Sequence, residues 1–188
     1  MQFVTRQTNL SCGHRILNER MLCHNLHGHE YITHLTFSFE QIENIGYAID
    51  FKEIKRVFVQ FLQDHMDHGM ILNPLDIDVV NLVKKLGTKL WLMSLNGEDK
   101  YCNPSVENIS KEVFLTMDIL SNELYKNSPT ELKIHKVVIY ETPNCWTETV
   151  RESITEMEKF EFRNARSEQI RAYAREKGVV QYDDRKLK

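Results

Sequence analysis

A chain of 188 residues is long enough to bury a real core as one domain, or one domain with an appendage, and too short for a second full domain. Hydrophobic residues at 41% and charged residues at 27% are ordinary globular usage, which excludes a disordered chain. A net charge of -3, drawn from 24 basic and 27 acidic residues without long single-sign blocks, leaves no footprint for nucleic acid, and no apolar run approaches the ~20 residues of a membrane span.

The segment Met1 to Arg6 lacks the apolar stretch of a signal peptide, so a cytoplasmic protein with no membrane partner is expected. Cys12, Cys23, Cys102 and Cys145 form no C-x-x-C pair and read as reduced thiols, with Cys102 and Cys145 as buried, inert ones.

In chain order, Phe3 to about Cys12 and residues 31–40, rich in β-branched and aromatic types, read as partner strands. Asp50 then stands as an acidic N-cap before Phe51, Ile54, Val57, Phe58, Phe61 and Leu62, whose spacing predicts a helix over 51–65. A shorter helical stretch near 77–86, a break at Gly87 and a strand over 89–93 follow. Ser105 precedes a second long helix marked by Ile109, Val113, Phe114, Met117 and Leu120, and 136–140 is a strand. From about Val150 the composition turns to alternating charges, 10 basic and 8 acidic over 151–188, which reads as a solvated helical tail or an oligomer contact. The order is α+β: a domain over 1–149 and a charged helical extension over 150–188.

Four of eight histidines, His14, His24, His27 and His29, fall within sixteen residues. On an extended segment His27 and His29, at i and i+2, share a face, and Gly28 allows close backbone approach. His14 ends the preceding strand, so a return of the chain brings it alongside. Three neutral imidazoles with an open fourth position are a ligand set of catalytic zinc. The same pair of histidines could equally be structural or exposed, and Cys12 with the three histidines would make a closed, structural site.

Cys23 lies four residues before His27, where a cation would lower its pKa and make it a general base; otherwise it is an inert thiol. In Asp64-His65-Met66-Asp67-His68 a carboxylate can fix an imidazole and raise its basicity, with His65 or His68 as the active partner, unless the histidine is only surface polar. Glu107, at the start of the second helix, and Glu141, at the end of the last strand, are either solvated or hold the amidine-like edge of a ligand.

Taken in order, Leu10-Ser11-Cys12-Gly13-His14, Cys23-His24-Asn25-Leu26-His27-Gly28-His29, Gly46-Tyr47-Ala48-Ile49-Asp50-Phe51, Met66-Asp67-His68, Asn103-Pro104-Ser105-Val106-Glu107-Asn108 and Tyr140-Glu141-Thr142 resemble the 6-pyruvoyltetrahydropterin synthase family over roughly residues 3–145. The three residues between Cys23 and His27 resemble its 6-carboxytetrahydropterin synthase branch, which serves queuosine and deazapurine biosynthesis. That resemblance implies a zinc-dependent lyase converting 7,8-dihydroneopterin triphosphate to 6-carboxy-5,6,7,8-tetrahydropterin, with release of acetaldehyde and triphosphate. The alternatives are the pyruvoyl-forming elimination and a non-catalytic pterin-binding zinc module.

Carried over residue by residue, the resemblance implies zinc on His14, His27 and His29 and Cys23 as base. Asp67 and His68 become its proton-handling partners, Glu141 the pterin anchor, and Glu107 with Ser105 the pocket lining. It further implies a four-stranded antiparallel sheet with two helices on one face, the tunnelling fold. Its subunits join into a barrel-like homo-oligomer, a hexamer, with active sites at subunit boundaries.

Overall fold

Two thirteen-residue strands, β1 (Gln2–His14) and β2 (His27–Phe39), pair antiparallel in one unbroken register, from Gln2 opposite Phe39 to His14 opposite His27. Alternation sorts their faces: Leu10, Cys12 and His14 with Tyr31, Leu35, Phe37 and Phe39 are buried, whereas Gln7, Asn9, Ser11 and Glu30 face out. In this computed structural model, which describes residues 1–94, 103–128 and 130–178, the pair is the centre of a larger sheet.

On one side of β1 lie β3 (Gly69–Leu72) and β4 (Leu90–Leu92), both parallel to their neighbours. On the other side of the pair, β5 (Lys133–Thr142) runs antiparallel to β2, and β6 (Cys145–Val150) returns antiparallel to β5. The order is β4-β3-β1-β2-β5-β6. The expected four-stranded antiparallel sheet is therefore corrected to six strands of mixed direction. Four-residue β3 is too short to show an alternation of its own after the loop that ends the first helix, and largely exposed β6 carries no apolar run, so neither has a strong pattern. Cys145, expected to be buried, is exposed at the start of β6, and Cys102 lies outside the described residues.

Among the described residues four helices accompany the sheet rather than two. Helix α1 (51–65) joins the α-helical turns Phe51–Ile54 and Gln60–His65 through a π-helical turn, Lys55–Val59, and starts where the Asp50 carboxylate accepts the Lys52 amide. Helix α2 (Ile77–Leu86) stops at Gly87, and α3 (Val106–Tyr125) begins at Ser105, whose hydroxyl accepts the Asn108 amide. Phe58 of α1 meets Phe37 of β2 with ring centroids 4.5 Å apart, and Val113, Phe114, Met117 and Leu120 of α3 complete the core with Ile134 and Val137. Among the described residues no helix is long and apolar enough to cross a membrane.

The charged C-terminal stretch forms α4 (Glu156–Lys177), started by a reciprocal Thr155–Glu158 cap. It is not merely solvated: Phe162, Ile170, Tyr173 and Ala174 are buried against the rest of the chain. Four apolar positions on one narrow stripe suffice, and the surrounding charges dilute them from view in composition. Polar links add to the contact. Arg56 grips the buried Glu53 carboxylate at 2.7 and 2.5 Å while its other hydrogens reach the carbonyls of Lys177 and Gly178 at 2.8 Å, satisfying the end of α4. Arg166 lies 4.3 Å over the Trp91 ring and donates to the Leu92 carbonyl. Glu112 accepts the Trp91 indole N–H at 2.7 Å, and complete burial pushes its carboxyl above the ordinary range despite the donors from Ser94.

Removing the Phe162 ring should leave a cavity that costs about 3–5 kcal/mol. Urea unfolding of Phe162→Ala, followed by far-ultraviolet dichroism and tryptophan fluorescence, should shift as a single transition. Loss of helical signal well ahead of fluorescence would show instead that α4 unfolds apart from the core.

Candidate metal centre

The register of β1 and β2 sets the histidines. His14 stands opposite His27, Gly13 opposite Gly28 and Cys12 opposite His29, so His14, His27 and His29 emerge on one face at the open end of the strand pair. Gly28 makes this approach possible, because a Cβ there would lie 3.0 Å from the Cys12 carbonyl.

The three imidazoles bring their ligand nitrogens within 4.8 Å of one another, and the Nε2 atoms of His14 and His27 are 3.1 Å apart. His14 Nδ1–H donates to the Pro104 carbonyl at 2.7 Å, and His27 Nδ1–H to the Asn25 carbonyl at 2.7 Å. A carbonyl only accepts, so each bond assigns the proton to Nδ1 and leaves an Nε2 lone pair aimed inward. Two lone pairs facing at that distance repel, and a cation between them removes the repulsion. Burial pushes the His14 pKa down to about 4; the Pro104 bond opposes this, and the neighbouring His27 and His29 reinforce it. His14 is thus neutral at pH 7, the form a metal requires. Donor type, tautomer and charge all fit a divalent cation.

Glu141 joins this group. The pairing of β5 with β6 is irregular between Tyr140 and Thr142, and the Glu141 Oε1 atom lies 3.7 Å from His14 Nε2 and 3.8 Å from His29 Nε2. Tyr31, two residues beyond His29 on the same face, is buried with its ring edge-on to His14 and His29, and its hydroxyl has no hydrogen-bond partner among the described residues. Sequence reading missed Tyr31, although period-two spacing from His27 and His29 was the available signal.

Cys12 does not complete a closed site. Its thiol donates to the Met66 carbonyl at 3.3 Å, and burial, followed by the charge of Asp67, pushes its pKa up to about 12 against the pull of Lys89. Cys23 sits in the exposed loop between β1 and β2. The protein's own groups push its thiol up, burial first and then the charges of Glu19 and Glu141, opposite to the lowering that a cation would exert.

Asp67 and His68 occupy the turn between α1 and β3. Asp67 Oδ1 accepts the Ser11 amide at 2.8 Å, its Oδ2 holds His68 Nδ1 at 2.8 Å, and the His68 amide donates back to the Ser11 carbonyl at 2.8 Å. Burial raises the Asp67 carboxyl, but the Ser11 and His68 hydrogen bonds outweigh it and the net shift is downward. Lys89 Nζ supports the turn through the carbonyls of Gln63 and Asp67, each at 2.7 Å. A Cβ on Gly69 would collide with the Lys89 and Met66 carbonyls at 2.8 and 2.9 Å, so only glycine fits. His68 has a left-handed φ of 55° and a side chain 80% exposed. Among the described residues no hydrogen bond joins Asp67 or His68 to Cys23 or to the three histidines.

Ser105 serves as the α3 cap and Glu107 is exposed in its first turn; neither hydrogen-bonds the histidines. Their link to the site is the preceding Pro104 carbonyl on His14. Asn103, passed over as a site residue, ties that segment down. Its side chain accepts the Leu17 amide at 3.0 Å and the Asn73 amide group at 2.9 Å and donates to the Leu17 carbonyl at 3.1 Å.

The chain is 30% identical over 149 residues to proteins named 6-carboxy-5,6,7,8-tetrahydropterin synthase from Rickettsia bellii and Rickettsia conorii, covering 77% of this chain and 96% of each relative. Among solved structures, an uncharacterized protein from Wolinella succinogenes superposes with a TM-score of 0.58 at 16% identity, covering 80% of this chain and 98% of the other. The 6-pyruvoyl tetrahydropterin synthase of Plasmodium vivax does so with a TM-score of 0.51 at 20% identity over 80% and 99%, and both likenesses concern the fold. A sequence model described as 6-pyruvoyl tetrahydropterin synthase matches residues 3–152, most of the chain and every residue of the histidine site, and on that match the chain belongs to the 6-pyruvoyl tetrahydropterin synthase family.

Proposed function

We propose that this chain is a zinc-dependent lyase that converts 7,8-dihydroneopterin triphosphate to 6-carboxy-5,6,7,8-tetrahydropterin, releasing acetaldehyde and triphosphate. The observation that carries the reading is the convergence of the His14, His27 and His29 ring nitrogens, with the Nε2 atoms of His14 and His27 left free of their backbone carbonyls, beside the Glu141 carboxylate. The relatives bearing the name of that reaction support the product, as does the three-residue gap between Cys23 and His27. Residues 1–149 carry the reaction, and 150–188 act as an appendage to it.

Zinc held by the three imidazoles would polarise the hydroxyls of the substrate side chain and lower the cost of moving their protons. Glu141 accepts from the amino group and ring N–H of the pterin, which orients its side chain toward the histidines. Cys23 takes a proton from that side chain as general base, and Asp67 holds His68 so that the imidazole can receive or return it. Ser105 and Glu107 line the edge of the pocket nearest Pro104. Within one chain His68 is exposed, and no hydrogen bond among the described residues joins it or Asp67 to Cys23. The reading therefore includes a homo-oligomer, a hexamer by family resemblance, in which the pair serves a neighbouring subunit. It also includes a cytoplasmic setting, in which Cys23 stays reduced.

Incubation of zinc-quantified protein with the triphosphate, followed by mass analysis of the pterin and an acetaldehyde assay, tests the reading. It expects 6-carboxytetrahydropterin, acetaldehyde and about one zinc per chain; a 6-pyruvoyl product would overturn the assigned reaction. Cys23→Ala should abolish turnover and keep the zinc.

Lys89→Met should lower kcat roughly 10–100-fold through misplacement of the Asp67–His68 turn, with KM and zinc content little changed and partial rescue by Lys89→Arg. An unchanged kcat would remove Lys89 from the machinery. The sign of a pH effect follows from His14, whose folded value of about 4 lies below its ordinary 6.5. Between those values the unfolded chain binds a proton that the folded chain refuses, so stability is full above about pH 6.5 and falls as pH drops toward 4. The urea midpoint of metal-free protein should therefore be lower at pH 5 than at pH 7, and less so in His14→Gln.

A further inference from the structure

Glu141 has two claims on it. As the pterin anchor it must point its carboxylate at the amidine-like edge of the ring, yet here Oε1 is turned onto the two ligand nitrogens, 3.7 Å from His14 Nε2 and 3.8 Å from His29 Nε2. Those separations are what two ligands of one small cation show, since each would bond to it at about 2.0–2.2 Å. Among the described residues no hydrogen bond from another side chain or from the main chain holds this carboxylate elsewhere. Continued one residue past Ile32 opposite Tyr140, the β2–β5 register sets Glu141 beside Tyr31, on the sheet face that carries the three histidines. Three neutral imidazoles leave a divalent cation uncompensated, and a carboxylate would offset one of its two charges in a site where His14 is almost wholly buried.

We infer that Glu141 is the fourth protein ligand of the metal while no substrate is bound, and that it leaves the metal to receive the pterin ring. This rests on the zinc reading above and deepens it. One side chain would then couple two events: the ring is captured by the same carboxylate whose departure opens the fourth metal position to the substrate side chain. The resting site is closed to adventitious ligands, and the open position exists only when a pterin is seated. Tyr31, whose hydroxyl beside the same histidines has no partner among the described residues, offers a donor to whatever occupies the space that Glu141 vacates.

The test uses the full chain loaded with cobalt(II), whose visible absorption reports ligand number and type, together with zinc affinity measured by chelator competition. Glu141→Gln is close in shape and lies at a strand end, and dichroism checks its fold. The variant should bind zinc roughly 10–100-fold more weakly and show an altered cobalt spectrum, with Glu141→Asp intermediate. Adding 7,8-dihydroneopterin, which lacks the triphosphate, should shift the spectrum of the parent protein and leave that of Glu141→Gln nearly unchanged.

If Glu141→Gln keeps the parent spectrum and zinc affinity while its pterin binding is lost, Glu141 is an anchor only. The inference then fails and the zinc lyase stands. If the parent protein and the His14→Ala variant alike bind no stoichiometric metal, the zinc reading and this inference fall together.

Discussion

The site depends on the pairing of β1 with β2. Because their register is unbroken over thirteen residues, His14 and His27 meet as direct partners at its end, and His29 follows one pleat inward. A slip of one residue would turn each histidine to the opposite face. The register is held from below by Tyr31, Leu35, Phe37 and Phe39, whose burial requires that face to meet the helices. The packing that stabilises the sheet thus also aims the imidazoles, and Pro104 and Asn25 then fix which nitrogen of His14 and His27 is free.

Around that frame the polar interior is built from a few fully engaged charges. Glu53 and Glu112 are costly groups to bury, and each is surrounded by donors: Arg56 and Tyr125 on one, Trp91 and Ser94 on the other. Both networks lead to α4, through the carbonyls at its end and through Arg166 on Trp91. The C-terminal helix is consequently attached to the same helices and strands that carry the site, although its sequence is mostly charge.

Two groups of polar side chains are placed by β1. Its inner face carries His14 toward the metal position, while its main chain at Ser11 grips both Asp67 and His68. The two groups share a strand, and among the described residues no hydrogen bond joins them.

Much was legible in the residues because it is local. The strand alternation before His14 and after His27, the Asp50 and Ser105 caps and the spacing of apolar residues in α1 and α3 are short-range patterns, and so is the two-residue period that puts His27 and His29 on one face. The third ligand was readable only as a possibility, since it requires a particular pairing across a thirteen-residue separation. Long-range partners decided the rest. The parallel additions of β3 and β4 come from crossovers that leave little mark on short strands, and β6 is specified by its neighbour more than by its own composition. Cys12 was equivalent to a metal ligand in sequence, and only the Met66 carbonyl beside its thiol removed it. The place of Glu141 against the histidines, the unpartnered Tyr31 hydroxyl and the supports from Asn103 and Lys89 arise where segments distant along the chain converge, and spacing along a single chain does not encode that convergence.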